Sequence, residues 1–170
     1  MPGKVSNCCV AARDAQPALP MCLGAAAPAA WYGLPEAERA TRAVLNADQC
    51  IIDDAYFFVL GRIVLPVADN PEPFEWLAWV SVSRDSFDKM GAAWDSAGRE
   101  RQPPYFGWLQ SDLPYDVPTL DMKTSVQTMP VGERPLIALE PTDHPLAVEQ
   151  RDGITMARVR AIVERALQPS

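Results

Sequence analysis

Tyr56-Phe-Phe-Val-Leu-Gly-Arg-Ile-Val-Leu-Pro-Val67 is the stretch whose reading decides the fold class. Its β-branched and aromatic residues suit a pleated, half-buried surface, so it reads as a strand, with Gly61 as a candidate bulge. Upstream, Cys50-Ile-Ile-Asp53 forms a shorter strand, and Asp53-Asp54 turns between the two. Downstream, Asn70-Pro-Glu-Pro73 breaks the chain before Phe74-Glu-Trp-Leu-Ala-Trp-Val-Ser-Val-Ser83. That run is apolar on both faces, as a central strand is.

Working outward, Leu34–Ala43 reads as a short helix, with Pro35 in its first turn and Glu36 and Glu38 near the positive end of the dipole. Asp85–Trp94 reads as a second helix capped by Asp85, with Phe87, Met90 and Trp94 on one face. Residues 97–104 form a polar loop, Tyr105–Leu109 is a short aromatic run, and Leu113–Pro118, with two prolines, is irregular. Met122–Met129 and Pro135–Glu140 are strands that pair as a hairpin through Gly132. Thr155 caps a last helix, Met156–Leu167, whose apolar stripe is Val159, Ile162, Val163, Ala166 and Leu167. Ile154, just before the cap, is placed to staple onto Val159. Regular strand–helix–strand alternation is absent. The expected architecture is α+β: a mostly antiparallel sheet with helices packed on one face. Residues 1–30, rich in Ala and Pro without a period, read as a loosely ordered arm, and residues 31–170 as one domain.

The chain has 170 residues, 48% hydrophobic and 22% charged, which excludes a disordered polyelectrolyte and suffices for a core without metals or disulfides. Fifteen Lys and Arg against 22 Asp and Glu leave a net charge of −7. That balance argues against nucleic acid and anionic membranes, and suits a basic protein partner. Cys8, Cys9, Cys22 and Cys50 form no disulfide framework. No basic region followed by an apolar run reads as a signal peptide, so free thiols in a reducing cytoplasm are expected.

The chemistry motifs are sparse. There is no Gly-rich loop leading into Lys-Ser/Thr and no G-x-S-x-G elbow, and the nine glycines are scattered. Cys8, Cys9 and Cys22 lack the C-x₂-C spacing of a zinc site. Cys50 lies in an apolar strand and is read as a small hydrophobe rather than a nucleophile paired with His144. No cofactor and no metal ligand set is expected. The densest polar stretch is Glu140-Pro-Thr-Asp-His-Pro-Leu-Ala-Val-Glu-Gln150. Asp143, His144 and Glu149 could do acid–base work or hold a divalent metal there. Alternatively, they satisfy backbone groups in a connector whose course two prolines fix. The aromatics Tyr105, Phe106 and Trp108 are either packing residues or an exposed anchor for a protein partner.

Three segments carry a family resemblance: Pro104-Tyr-Phe-Gly-Trp-Leu109, Trp79-Val-Ser-Val-Ser83, and above all Leu139-Glu-Pro-Thr-Asp-His-Pro-Leu-Ala-Val-Glu-Gln150 followed by Gly153-Ile-Thr155. They resemble a bacterial domain-of-unknown-function family, number 2199, over about Leu34 to Leu167. The resemblance implies no established activity. It also implies an N-terminal C-x₂-C-G…H knuckle ahead of a Gly-Leu-Pro. Set against Ala18-Leu19-Pro20, that pattern puts Cys9 at the first cysteine, Ala12 at the second and Gln16 at the histidine, so two of three ligands are missing. The expected function is a non-enzymatic protein-binding module, of the immunity type that neutralises a toxin. The alternative is an enzyme or metal-binding domain using the Asp143/His144/Glu149 loop.

Overall fold

A computed structural model describes residues 5–7 and 18–168. Its frame is a hairpin of two long strands, β5 (Tyr56–Leu65) and β6 (Phe74–Val82), paired antiparallel over their whole length. Each forks to two neighbours on its far side. The first half of β5 pairs with β4 (Gln49–Ile52), which continues to β3 (Ala43–Leu45). At Arg62, β5 turns instead to β9 (Leu136–Leu139), in parallel. The start of β6 pairs in parallel with β2 (Cys22–Ala25), beside β1 (Val5–Asn7). The end of β6 pairs with β7 (Tyr105–Leu109), and β7 with β8 (Lys123–Gln127), which meets β9 antiparallel. Strands β5, β6, β7, β8 and β9 therefore close into a small barrel within a nine-stranded mixed sheet.

The α+β class expected from the sequence holds; the sheet, expected to be mostly antiparallel with helices on one face, also has the parallel pairings β2–β6 and β5–β9. The protein has both helices and strands, but the sheet is mixed and closes on itself. Two features escape a local reading. β2 and β9 each join a strand far away in sequence, and the fork needs both faces of β5 and β6 to be buried. The inner faces supply one core: Val59 and Ile63, Trp76 and Val80, Leu109, Val126 and Ile137. The outer faces of the same two strands, with Phe58, Leu60, Leu77 and Trp79, form a second cluster with Cys22 and Cys50. Gly61 is not a bulge, since its register partner Ala78 sits in an unbroken ladder. It is where β9 comes closest: a Cβ there would lie 2.8 Å from Ile137 Cγ1 and 2.9 Å from the Pro135 carbonyl.

Short helices α1 (Ala29–Tyr32) and α2 (Glu36–Arg42) precede β3, and Trp31 and Leu34 cover the second cluster. Residues 18–30, read from the sequence as part of a loosely ordered arm, join the sheet: Cys22 and Leu23 are buried in β2, and the Trp79 indole donates to the Ala25 carbonyl at 3.0 Å. Cys8, Cys9 and the positions aligned with the knuckle lie outside the described residues. Helix α3 (Arg84–Ala92) is capped by Ser83, whose hydroxyl accepts from the Ser86 amide, rather than by Asp85. Helix α5 (Met156–Leu167) follows its Thr155 cap as expected and buries Val159, Ile162 and Val163. Between β9 and α5 the sequence reading placed a connector. The structure has an eight-residue helix there, α4 (Pro145–Asp152), with proline in the position that needs no amide donor. No helix among the described residues is long and apolar enough to cross a membrane.

Candidate functional site

The Glu140–Gln150 segment is built as a docking device. Its histidine is the N-cap of α4: Nδ1 accepts from the Leu146 amide at 3.1 Å. The proton of the neutral ring therefore sits on Nε2, which faces the carbonyls of Val117 and Pro118 at 3.2 and 3.1 Å. Both ring nitrogens are thus engaged, and no lone pair is left to act as a base or ligand. Glu149 is engaged through both oxygens. Its Oε2 accepts from the Tyr115 hydroxyl at 2.6 Å and its Oε1 from Arg158 Nε at 2.5 Å. The Tyr115 oxygen in turn accepts from the buried Trp76 indole at 3.3 Å. Burial, reinforced by the Glu149 carboxylate, holds the Tyr115 phenol well above its usual range, so it stays a donor.

Gln150 completes the device. Its carbonyl accepts from the Leu139 amide and its amide donates to the Ile137 carbonyl, each at 2.8 Å. Asp143 is exposed and shares none of these contacts. The structure therefore does not bring Asp143, His144 and Glu149 to one point. Among the described residues, no three His, Cys, Asp or Glu groups are placed to hold a metal.

The aromatic candidates divide by the period of their strand. Tyr105 faces inward, packs on the main core and donates to Gln102 Oε1 at 2.8 Å. Phe106 and Trp108 face outward, edge to face with centroids 5.1 Å apart, and are 54% and 40% exposed. Opposite them across β7 and β8 stand Ser125 and Lys123, then Ala138 on β9. Helices α3 and α4 lean on β5, and α4 also on β9. Phe106, Trp108, Lys123 and Ala138 are left exposed on the outer barrel wall. Two exposed acids flank the Trp108 end: the Asp121 amide donates to the Leu109 carbonyl, and the Glu140 amide to the Lys123 carbonyl.

Sequence reasoning missed a cleft of about 650 Å³ between α3, the outer side of β5–β6 and the loop joining β8 to β9. Arg62 and Glu75, diagonal across the hairpin, pair at 3.1 Å on its floor. Glu133 stands 4.0 Å from the same guanidinium, and Arg134 pairs with Asp48 at 2.9 Å on the rim. The detectable signal was a lone arginine in an otherwise apolar strand. A buried arginine holds the walls. Arg99 donates to the carbonyls of Trp94 (2.8 Å), Met129 (2.7 Å), Pro130 (3.1 Å) and Glu133 (3.0 Å). One side chain thereby ties the end of α3 to the β8–β9 loop.

These features define a small barrel protein with helices pinned to it by polar side chains. The chain belongs to the family described as "Uncharacterized protein conserved in bacteria (DUF2199)", whose model matches residues 6–154. The resemblance read from the sequence was therefore right, although the family match begins earlier and stops short of α5. No curated protein and no solved structure matches the chain.

Proposed function

We propose that this chain is a non-enzymatic protein-binding module acting in a reducing cytoplasm, of the immunity type that neutralises a toxin by occupying its surface. The observation that carries the reading is the exposed edge-to-face pair, Phe106 and Trp108, on a stretch of barrel wall left open to solvent. Rigid aromatic pairs of this kind supply large contact area at little entropic cost and dominate interface energetics. The partner is a basic protein. The net charge is −7, and the acids at the Trp108 end, Asp121 and Glu140, outnumber the single Lys123 between them. The engagement of His144 and Glu149 in capping and anchoring supports a binding role over the alternative, an enzymatic or metal-binding loop.

The test is isolation of a stoichiometric complex from the source cells at low salt, followed by a Phe106→Ala/Trp108→Ala double variant. Loss of the two anchors weakens a genuine complex by about 2 kcal/mol or more, while the free chain, whose two rings are only partly covered, loses about 1 to 2 kcal/mol and stays folded. Association also slows as salt rises. A complex that persists with the double variant, or no stoichiometric complex at all, refutes the proposal.

A further inference from the structure

The cleft below α3 carries a second, independent inference. Its internal charges are mostly satisfied. Arg62 pairs with Glu75 through one terminal nitrogen while its buried Nε has no partner, Arg134 is taken by Asp48, and Arg99 by four carbonyl oxygens. Two carboxylates remain. Asp95 pairs with no cation among the described residues, and Glu133 has only the 4.0 Å approach to Arg62. In all, four carboxylates line the cleft against three guanidiniums, so one added positive charge brings the lining to neutrality.

The rest of the lining is apolar. Leu60 and Leu77 form the inner wall, Met129 lies on the loop, and Trp94 lies at the mouth with 43% of its surface exposed. An indole beside carboxylates is the arrangement that holds an ammonium group. The two walls are held together: the same Arg99 guanidinium bonds the backbone carbonyls of Trp94 and Glu133, and both residues line the one cleft. Arg99 already lies over one face of the indole, 5.6 Å from its centroid, with its donors turned to backbone oxygens. At about 650 Å³ the space falls within the range of small-molecule sites.

We infer that this cleft binds a small organic monocation, an ammonium group carried on an apolar or aromatic body, with the charge between Asp95 and Glu133 and the body against Trp94, Leu60 and Leu77.

The experiment is an NMR titration of the full chain with phenethylammonium chloride, and separately with sodium phenylacetate at equal ionic strength. The two probes share a body and differ in the sign of the charge. Expected is a saturable shift of the Trp94 indole N–H with the ammonium and a weaker or absent one with the carboxylate. Asp95→Asn and Glu133→Gln each weaken the ammonium by about threefold, the order of a partly exposed charge pair. Glu36→Gln, the same charge change on exposed α2, has no effect. The inference is overturned if phenylacetate binds as well as phenethylammonium, if the Trp94 signal does not respond, or if the Asp95→Asn/Glu133→Gln double variant binds like the wild type.

Discussion

Replacing Arg99 by methionine keeps most of the stem's apolar contact and removes every donor. The side chain is 8% exposed and makes four hydrogen bonds to carbonyls, with no carboxylate partner. Hydrogen bonds from a charged donor contribute about 1.5 to 3 kcal/mol each. Two effects offset that sum. Removing the guanidinium also removes its own desolvation cost, and the Pro130 and Glu133 carbonyls sit on an exposed loop where water can replace the lost donor. Met129 is half-buried, and the Trp94 carbonyl lies just past the end of α3 facing the guanidinium. Two unsatisfied acceptors at about 1 to 3 kcal/mol apiece give a net loss of about 3 kcal/mol. In a chain of this size that lowers Tm by roughly 6 to 12 °C. Arg99→Lys keeps the charge, but an ammonium with three donors cannot serve four oxygens in fork geometry, so it recovers less than half. Urea denaturation followed by circular dichroism reads both variants, with a constant m-value as the check on two-state behaviour. An Arg99→Met loss below about 1 kcal/mol, or a lysine variant equal to the wild type, would mean that the loop is held by something else.

Two further predictions concern residues that chemistry-first reasoning would have assigned differently. His144→Ala loses a helix cap and costs about 1 kcal/mol, whereas His144→Asn, an ordinary capping residue, retains most of the stability. Equal losses in the two variants, measured by denaturation, would remove the capping explanation. Cys50 is fully buried, carries a free thiol, and burial pushes that thiol up to about 11 from an ordinary 9.0. The folded value lies above the unfolded one, so this contribution is fully present below pH 9 and is lost as pH rises through 11. That amounts to about 2 to 3 kcal/mol. The stability of Cys50→Ala should therefore fall less steeply from pH 8 to 11 than that of the wild type. Parallel curves would refute the assignment.

What could be read from the sequence was local. Thr155 and the stripe from Val159 to Ala166 located α5 because a cap and a 3.6-residue period act within a few residues. The β8–β9 hairpin was visible for the same reason. Helix α4 was not, because its cap is an imidazole and its prolines suggested an irregular path; only the carbonyls of Val117 and Pro118, 27 and 26 residues away, show why the ring points as it does. Barrel closure was invisible too, since it rests on one parallel contact between Arg62 and Leu136 and on the missing side chain of Gly61. Of the aromatic candidates that composition picked out, Phe106 and Trp108 are exposed, while the alternation of the strand turns the half-buried Tyr105 toward the core. The cleft residues Arg62, Asp95 and Glu133 come from three separate segments and converge only through the fold.

The side-chain amide of Gln150 has a meaning beyond anchoring α4. Past Leu136, strand β9 has no strand partner on the β5 side, so the Leu139 N–H and Ile137 C=O would face outward as an open edge. Such edges template pairing with another chain. Gln150 fills this one with a group of peptide shape, acceptor to the amide and donor to the carbonyl. The helix thereby works as a stopper against self-association. Any event that lifts α4 from the barrel exposes a short adhesive strand, and aggregation rather than simple unfolding becomes the first sign of damage.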